Sequence, residues 1–138
     1  MVDPIILKLK NDIHEIRKIR DCLFNTANKI SLSQDTADTI AISLEEILMN
    51  IMEHGYGESD LIIHVAISFQ VNQIKIKIQD KARHFNPLNS EKVNLKKYFE
   101  GQPSSGGLGI HLVREMMDEI SYQRKNGKNI LIMKKTFS

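Results

Sequence analysis

Between Leu61 and Val71, apolar Leu61, Ile63, Val65, Ile67, Phe69 and Val71 alternate with His64, Ala66, Ser68 and Gln70, the period of a strand with one buried face. After a tight turn near Asn72-Gln73, Ile74, Ile76 and Ile78 alternate with Lys75, Lys77 and Gln79, so the two runs predict an antiparallel hairpin. Ahead of them the period is helical. Ile5 to Leu9 reads as a first strand and Lys10-Asn11-Asp12 as a cap. A helix over 13–29 then carries Ile16, Leu23, Phe24 and Ala27 at helical spacing. Ser31-Leu-Ser33 breaks the chain and caps a second, longer helix, whose Ala37, Ile40, Ala41, Leu44, Ile47, Leu48, Ile51 and Met52 form one apolar stripe.

From Pro87 to about Gly106 the pattern fades, apart from a short helical stretch around Glu91 to Phe99. A connection of that length in a small domain is more often a lid or binding loop than filler. A third helix follows with Leu108, Leu112, Val113, Met116, Met117 and Ile120. Two strands, Ser121 to Arg124 and Asn129 to Thr136, then flank Asn126-Gly127, the strongest short hairpin signal. The order predicts an α+β two-layer sandwich: a mixed, mostly antiparallel sheet covered on one face by three helices. We expect one domain over 1–138 with a lid at about 87–106.

Composition narrows the classes of function. At 138 residues and 41% apolar content the chain suits one domain with a sizeable core. A formal charge of +2, with lysines scattered among carboxylates, gives no basic block for nucleic acid. Cys22 is the one cysteine, so no internal disulfide and no thiolate zinc site can form, and a reducing cytoplasm is the expected location. The start has no basic region ahead of a long apolar stretch, and no run of about 18 apolar residues occurs, so neither a leader nor a membrane span is expected.

The candidate chemistry lies at three places. Glu46 and Asn50 stand four apart on the second helix, so a carboxylate and an amide project side by side. At roughly 100° per residue they fall away from the apolar stripe, on a side shared with Thr39 and Ser43. For that side a solvated polar face and a functional one remain equal alternatives. Asp80 continues the inward register of the isoleucines, where a carboxylate is costly without a hydrogen-bond donor. Gly106-Gly-Leu-Gly109 opens the third helix, whose free N–H groups favour an anion; a hinge for the lid is the plainer reading. No Lys-Ser/Thr follows it, and it lacks the spacing of a dinucleotide fingerprint. His14-Glu-Ile-Arg17 resembles half of a sensor-kinase phosphoacceptor box without the Thr-Pro half, and reads as a surface histidine. The other histidines show no metal spacing, and Cys22 reads as a small buried hydrophobe.

Taken in order, Glu46-Ile-Leu-Met-Asn50-Ile-Met-Glu-His54-Gly-Tyr56, Asp80-Lys-Ala-Arg-His-Phe-Asn-Pro87 and Gly106-Gly-Leu-Gly-Ile-His-Leu-Val-Arg-Glu-Met-Met-Asp118 resemble the N, G1 and G2 boxes of the GHKL ATPase superfamily. The likeness spans nearly the whole chain and is nearest to the stand-alone anti-sigma factor serine kinases. It implies the Bergerat fold with an ATP lid, ATP and Mg²⁺ as ligands, and a sigma factor and an anti-sigma antagonist as partners in transcription regulation. It further implies a homodimer, and no direct contact with nucleic acid or membrane. Glu46 would be the general base, Asn50 the Mg²⁺ ligand, and Asp80 the acceptor for the adenine amino group. Gly106, Gly107 and Gly109, with Leu108 between them, would cradle the phosphates. Lys92, Lys96 and Lys97 are the candidates for the basic lid group.

One departure is Ala82, where the family commonly has glycine; if that position requires φ > 0, alanine is strained by roughly 1 kcal/mol or more. Three functions follow as expectations: a serine kinase acting on an antagonist protein, a nucleotide-gated binding module without transfer, or a detached histidine-kinase catalytic domain.

Overall fold

A computed structural model describes residues 2–55, 61–89 and 108–137, with only the backbone of His54 and Leu108. In these residues the two periodicities resolve into strands β1 (Ile5–Lys10), β2 (Ile62–Phe69), β3 (Gln73–Asp80), β4 (Glu119–Lys125) and β5 (Lys128–Thr136) and three α-helices. The helices are α1 (Arg17–Lys29), α2 (Gln34–Asn50) and α3 (Leu108–Met116). A 3₁₀ turn, Ile13–Ile16, leads into α1, and a π-helical turn, Ile51–Gly55, ends α2.

The sheet order is β1-β2-β3-β5-β4, and all four described pairings are antiparallel. The parallel component expected of a mixed sheet is therefore absent among these pairs. The reason is topological: β3 and β4, joined through α3, do run the same way, but β5 inserts between them. The inward register carries Leu9, Ile63, Val65, Ile67, Ile74, Ile76, Ile78, Leu131 and Met133, all buried. Against it lie Ile19 and Leu23 of α1, Ile40, Leu44, Ile47 and Leu48 of α2, and Val113 of α3, in one continuous core. Each such fully buried side chain contributes about 1.5–3 kcal/mol.

Local signals set most boundaries. Asp12 caps the 3₁₀ turn by accepting from the His14 N–H at 2.9 Å. Ser33 caps α2 by accepting from the Thr36 N–H at 3.2 Å. Asn126 and Gly127 both have positive φ, 52° and 73°, the geometry of a two-residue hairpin turn.

Four expectations change. The first helix begins as a 3₁₀ turn, and α-geometry starts only at Arg17. Val71 lies outside β2 and is 90% exposed, because the chain turns at residues 70–72, where the Gln70 N–H donates to the Gln73 carbonyl at 2.8 Å. Ile120 belongs to β4, opposite Met133, since α3 ends at Met116. Cys22 is half-buried, because it sits on the flank of α1 between the buried Ile19 and Leu23.

Two substitutions test these local causes by urea unfolding. Ser33→Ala should lower stability by about 1 kcal/mol through loss of the cap. Gly127→Ala should cost about 1 kcal/mol through backbone strain, since nothing lies within 4 Å of the added methyl.

Candidate functional site

Strand alternation carries Asp80 into the core side of the sheet, at the last position of β3, where it is 3% exposed. A carboxylate so placed needs donors, and the chain supplies two. The Ala82 N–H donates to Asp80 Oδ1 at 2.9 Å, closing a short turn, and Asn129 Nδ2 donates to the same oxygen at 2.9 Å. Asn129 is the residue directly opposite on β5, and nothing in its own neighbourhood of the sequence singled it out.

Asn129 is itself 5% exposed and fully engaged. Its Nδ2 also donates to the Arg83 carbonyl at 2.8 Å, and its Oδ1 accepts from the Tyr122 hydroxyl at 2.5 Å and the Phe85 N–H at 3.2 Å. Arg124 Nη1 donates to the Ala82 carbonyl at 2.6 Å. The Tyr122 ring stacks on His84, with centroids 5.8 Å apart and planes 10° from parallel. The loop after β3 is thus tied to β4 and β5. Ile51, Ile78, Phe85, Pro87 and Leu131 join Asp80, Tyr122 and Asn129 around a cavity of about 10 Å³, room for one water.

The strain considered for Ala82 is absent. Among the described residues the non-glycine positions with positive φ are Ser31 and Asn126, so alanine is accommodated here, and its methyl is buried at 4% exposure.

On α2, Glu46 and Asn50 are half-buried. Their side of the helix is partly covered: α3 packs across α2, and Ser43 is completely buried. The Ser43 hydroxyl has no hydrogen-bond partner among the described residues, whereas Thr39 satisfies its own by donating to the Asp35 carbonyl at 2.9 Å. The contact between the helices is close at Gly109: a Cβ there would lie 1.9 Å from Glu46 Oε2 and 2.7 Å from its Cδ. A methyl added there would meet only the flexible end of the Glu46 side chain, which would have to move aside. The first turn of α3, with its free N–H groups, therefore meets the Glu46 carboxylate. Gly106, Gly107, Lys92, Lys96 and Lys97 lie outside the described residues, as does the Leu108 side chain.

A larger groove, about 470 Å³, lies on the opposite flank of α2, lined by Ile13, Ile16, Arg17, Arg20, Asp21, Glu45 and Met49. There Arg20 pairs with Glu45 at 2.8 Å and lies over the Phe24 ring at 5.6 Å. Its lining includes none of Glu46, Asn50 and Asp80. Among the described residues no three His, Cys, Asp or Glu side chains gather to hold a metal, and no helix is long and apolar enough to cross a membrane.

Comparison with known proteins bears on the family and the fold. The family model described as histidine kinase-like ATPase domain matches residues 9–135. The serine-protein kinase RsbW of Staphylococcus epidermidis is 25% identical over 138 residues, covering 96% of this chain and 86% of that protein. RsbW of Bacillus licheniformis is 27% identical over 127 residues, covering 84% and 75%. Two solved structures share the fold. The RsbU and RsbW domains of Rv1364c from Mycobacterium tuberculosis superpose with a TM-score of 0.69 at 16% identity, over 98% of this chain, which spans 32% of that one. The SiaB-SiaC complex from Pseudomonas aeruginosa gives 0.61 at 14% identity, over 96% of this chain and 89% of that one.

The Tyr122 phenol provides a test of the network. Burial raises its pKa above the ordinary 10.0, the Asp80 charge adds to this and Arg124 opposes it. A pKa raised on folding contributes stability that is complete below the unfolded value and lost as pH rises through the folded one. Ultraviolet titration of the native protein should show one phenol ionising above the ordinary range. Tyr122→Phe should remove that phenol, along with part of the stability lost in alkali.

Proposed function

The chain belongs to the histidine kinase-like ATPase domain family, and on that premise we propose that it is an ATP-dependent serine kinase that phosphorylates an anti-sigma antagonist and also holds a sigma factor. The observation that carries this reading is the contact of Gly109 with Glu46. It brings the anion-favouring end of a helix against a carboxylate able to take a hydroxyl proton. The likeness to the RsbW serine-protein kinases supports the serine kinase assignment, and the SiaB-SiaC complex supports a protein partner.

On this reading Asp80 accepts from the exocyclic amino group of adenine. The cavity beside it, about 10 Å³, is much smaller than a purine, so the half-buried Phe85 side chain turns aside while its backbone stays tied to Asn129. Gly109 N–H and its neighbours, Gly106, Gly107 and Leu108 included, bind phosphate oxygens. Glu46 draws the proton from the incoming serine hydroxyl, and transfer depends chiefly on positioning and charge. With no acidic cluster among the described residues, a magnesium ion would take the Asn50 amide oxygen together with water and phosphate oxygens, the hard set it prefers, and would neutralise phosphate charge. The whole chain acts as one domain, with the segment 87–106 as its lid. A second copy would pair along the edge strand β1, where Ile6 is 69% exposed.

The reading as a nucleotide-gated module without transfer rested on strain at Ala82, and the relaxed backbone there removes its support.

Incubation with labelled ATP, Mg²⁺ and an anti-sigma antagonist protein should give acid-stable serine label. Acid-labile label alone would point to histidine instead. Glu46→Gln should keep ATP affinity within a few-fold while transfer falls by about 10²–10⁴. Gly109→Ala should change stability by no more than about 1 kcal/mol yet slow transfer by displacing the Glu46 carboxylate. Titration calorimetry that finds no ATP binding by the wild type, with magnesium present, would refute the proposal.

A further inference from the structure

We propose that Asn129 is the positioning residue that makes the base site selective for an amino-bearing purine; this rests on the reading that an adenine nucleotide binds at Asp80. The carboxamide has one orientation available. Its oxygen faces the Phe85 N–H, which can only donate, and its nitrogen faces the Arg83 carbonyl, which can only accept. A flipped amide would set oxygen against both that carbonyl and Asp80. Asn129 therefore presents an N–H to Asp80 Oδ1 at 2.9 Å without alternative.

The consequence concerns Asp80. Its Oδ1 is held by two N–H donors, from Ala82 and Asn129, which fixes the carboxylate plane and leaves Oδ2 as the oxygen that meets the base. Both oxygens then act as acceptors. A purine offering an amino group is bound, and one offering a carbonyl at the same position sets acceptor against acceptor, the kind of mismatch that polar sites reject strongly. Tyr122 and the Phe85 N–H complete the hold by occupying both acceptor positions of the Asn129 oxygen. Asn129 does not itself need to touch the nucleotide.

The test is the ratio of ATP to GTP affinity, measured by calorimetry with Mg²⁺ on the full chain, alongside thermal unfolding. Asn129→Ala and Asn129→Asp each remove the N–H to Asp80. Each should weaken ATP binding on the order of tenfold while GTP binding changes less, so the ratio narrows. Tyr122→Phe should narrow it by a smaller factor. A wild-type ratio retained in the Asn129 variants, including an equal loss for both nucleotides, would show a merely structural role and overturn the proposal. Should neither Asn129 variant unfold cooperatively, Tyr122→Phe decides, an unchanged ratio counting against the proposal. A wild type that binds neither nucleotide overturns the underlying reading and this one with it. A wild type that binds ATP, with variants unchanged in ratio, overturns this one alone.

Discussion

A carboxylate placed on the core side of a sheet must find donors, and in this fold they come from the opposite strand and the loop that follows. Leaving Asp80 unsatisfied would cost several kcal/mol, more than a domain of this size can lose without consequence. Asn129 and the Ala82 N–H meet that demand. In doing so they determine the path of the chain after β3: the loop folds back over the end of the sheet, tied through the Arg83 carbonyl and Phe85 N–H, with Arg124 holding the Ala82 carbonyl. The same bonds that satisfy the acid also shape the pocket around it.

The second determinant is the approach of α3 to α2. Gly109 faces Glu46 with no side chain of its own between them, so the first turn of α3 lies against that carboxylate. On that side of α2 Ser43 is completely buried, while Glu46 and Asn50 are half-buried. The Ser43 hydroxyl, without a partner among the described residues, lies one turn before Glu46. Such a group costs about 1–3 kcal/mol.

Helix α2 consequently serves two flanks. Successive residues differ by about 100°, so Glu46 and Asn50 look toward α3, while their neighbours Glu45 and Met49 line the groove beside α1. The Arg20–Glu45 pair is part-buried and its guanidinium also covers Phe24, so the groove wall is ordered by more than a surface ion pair. Movement of α2 would be felt on both sides, because its apolar stripe, from Ile40 to Leu48, is locked in the core between them.

Much of this was legible from the order of residues. Apolar runs and their periods, with the Asn126-Gly127 turn and the Ser33 cap, identified the five strands and three α-helices of the described residues, because those are consequences of neighbours a few positions apart. The inward register of Asp80 was legible for the same reason. Alternation says which face a strand residue takes, but not how a backbone bends, so the relaxed Ala82 could not be foreseen. The role of Asn129 was also invisible, since it depends on a residue 49 positions away brought opposite by strand pairing. Likewise the helical wheel placed Glu46 and Ser43 off the apolar stripe but could not say that Gly109 of α3 would meet Glu46. Local periodicity thus determined the elements and their faces, whereas the partners of each polar group awaited the packing, because hydrogen bonds and close contacts are made across space by chain segments that carry no record of one another.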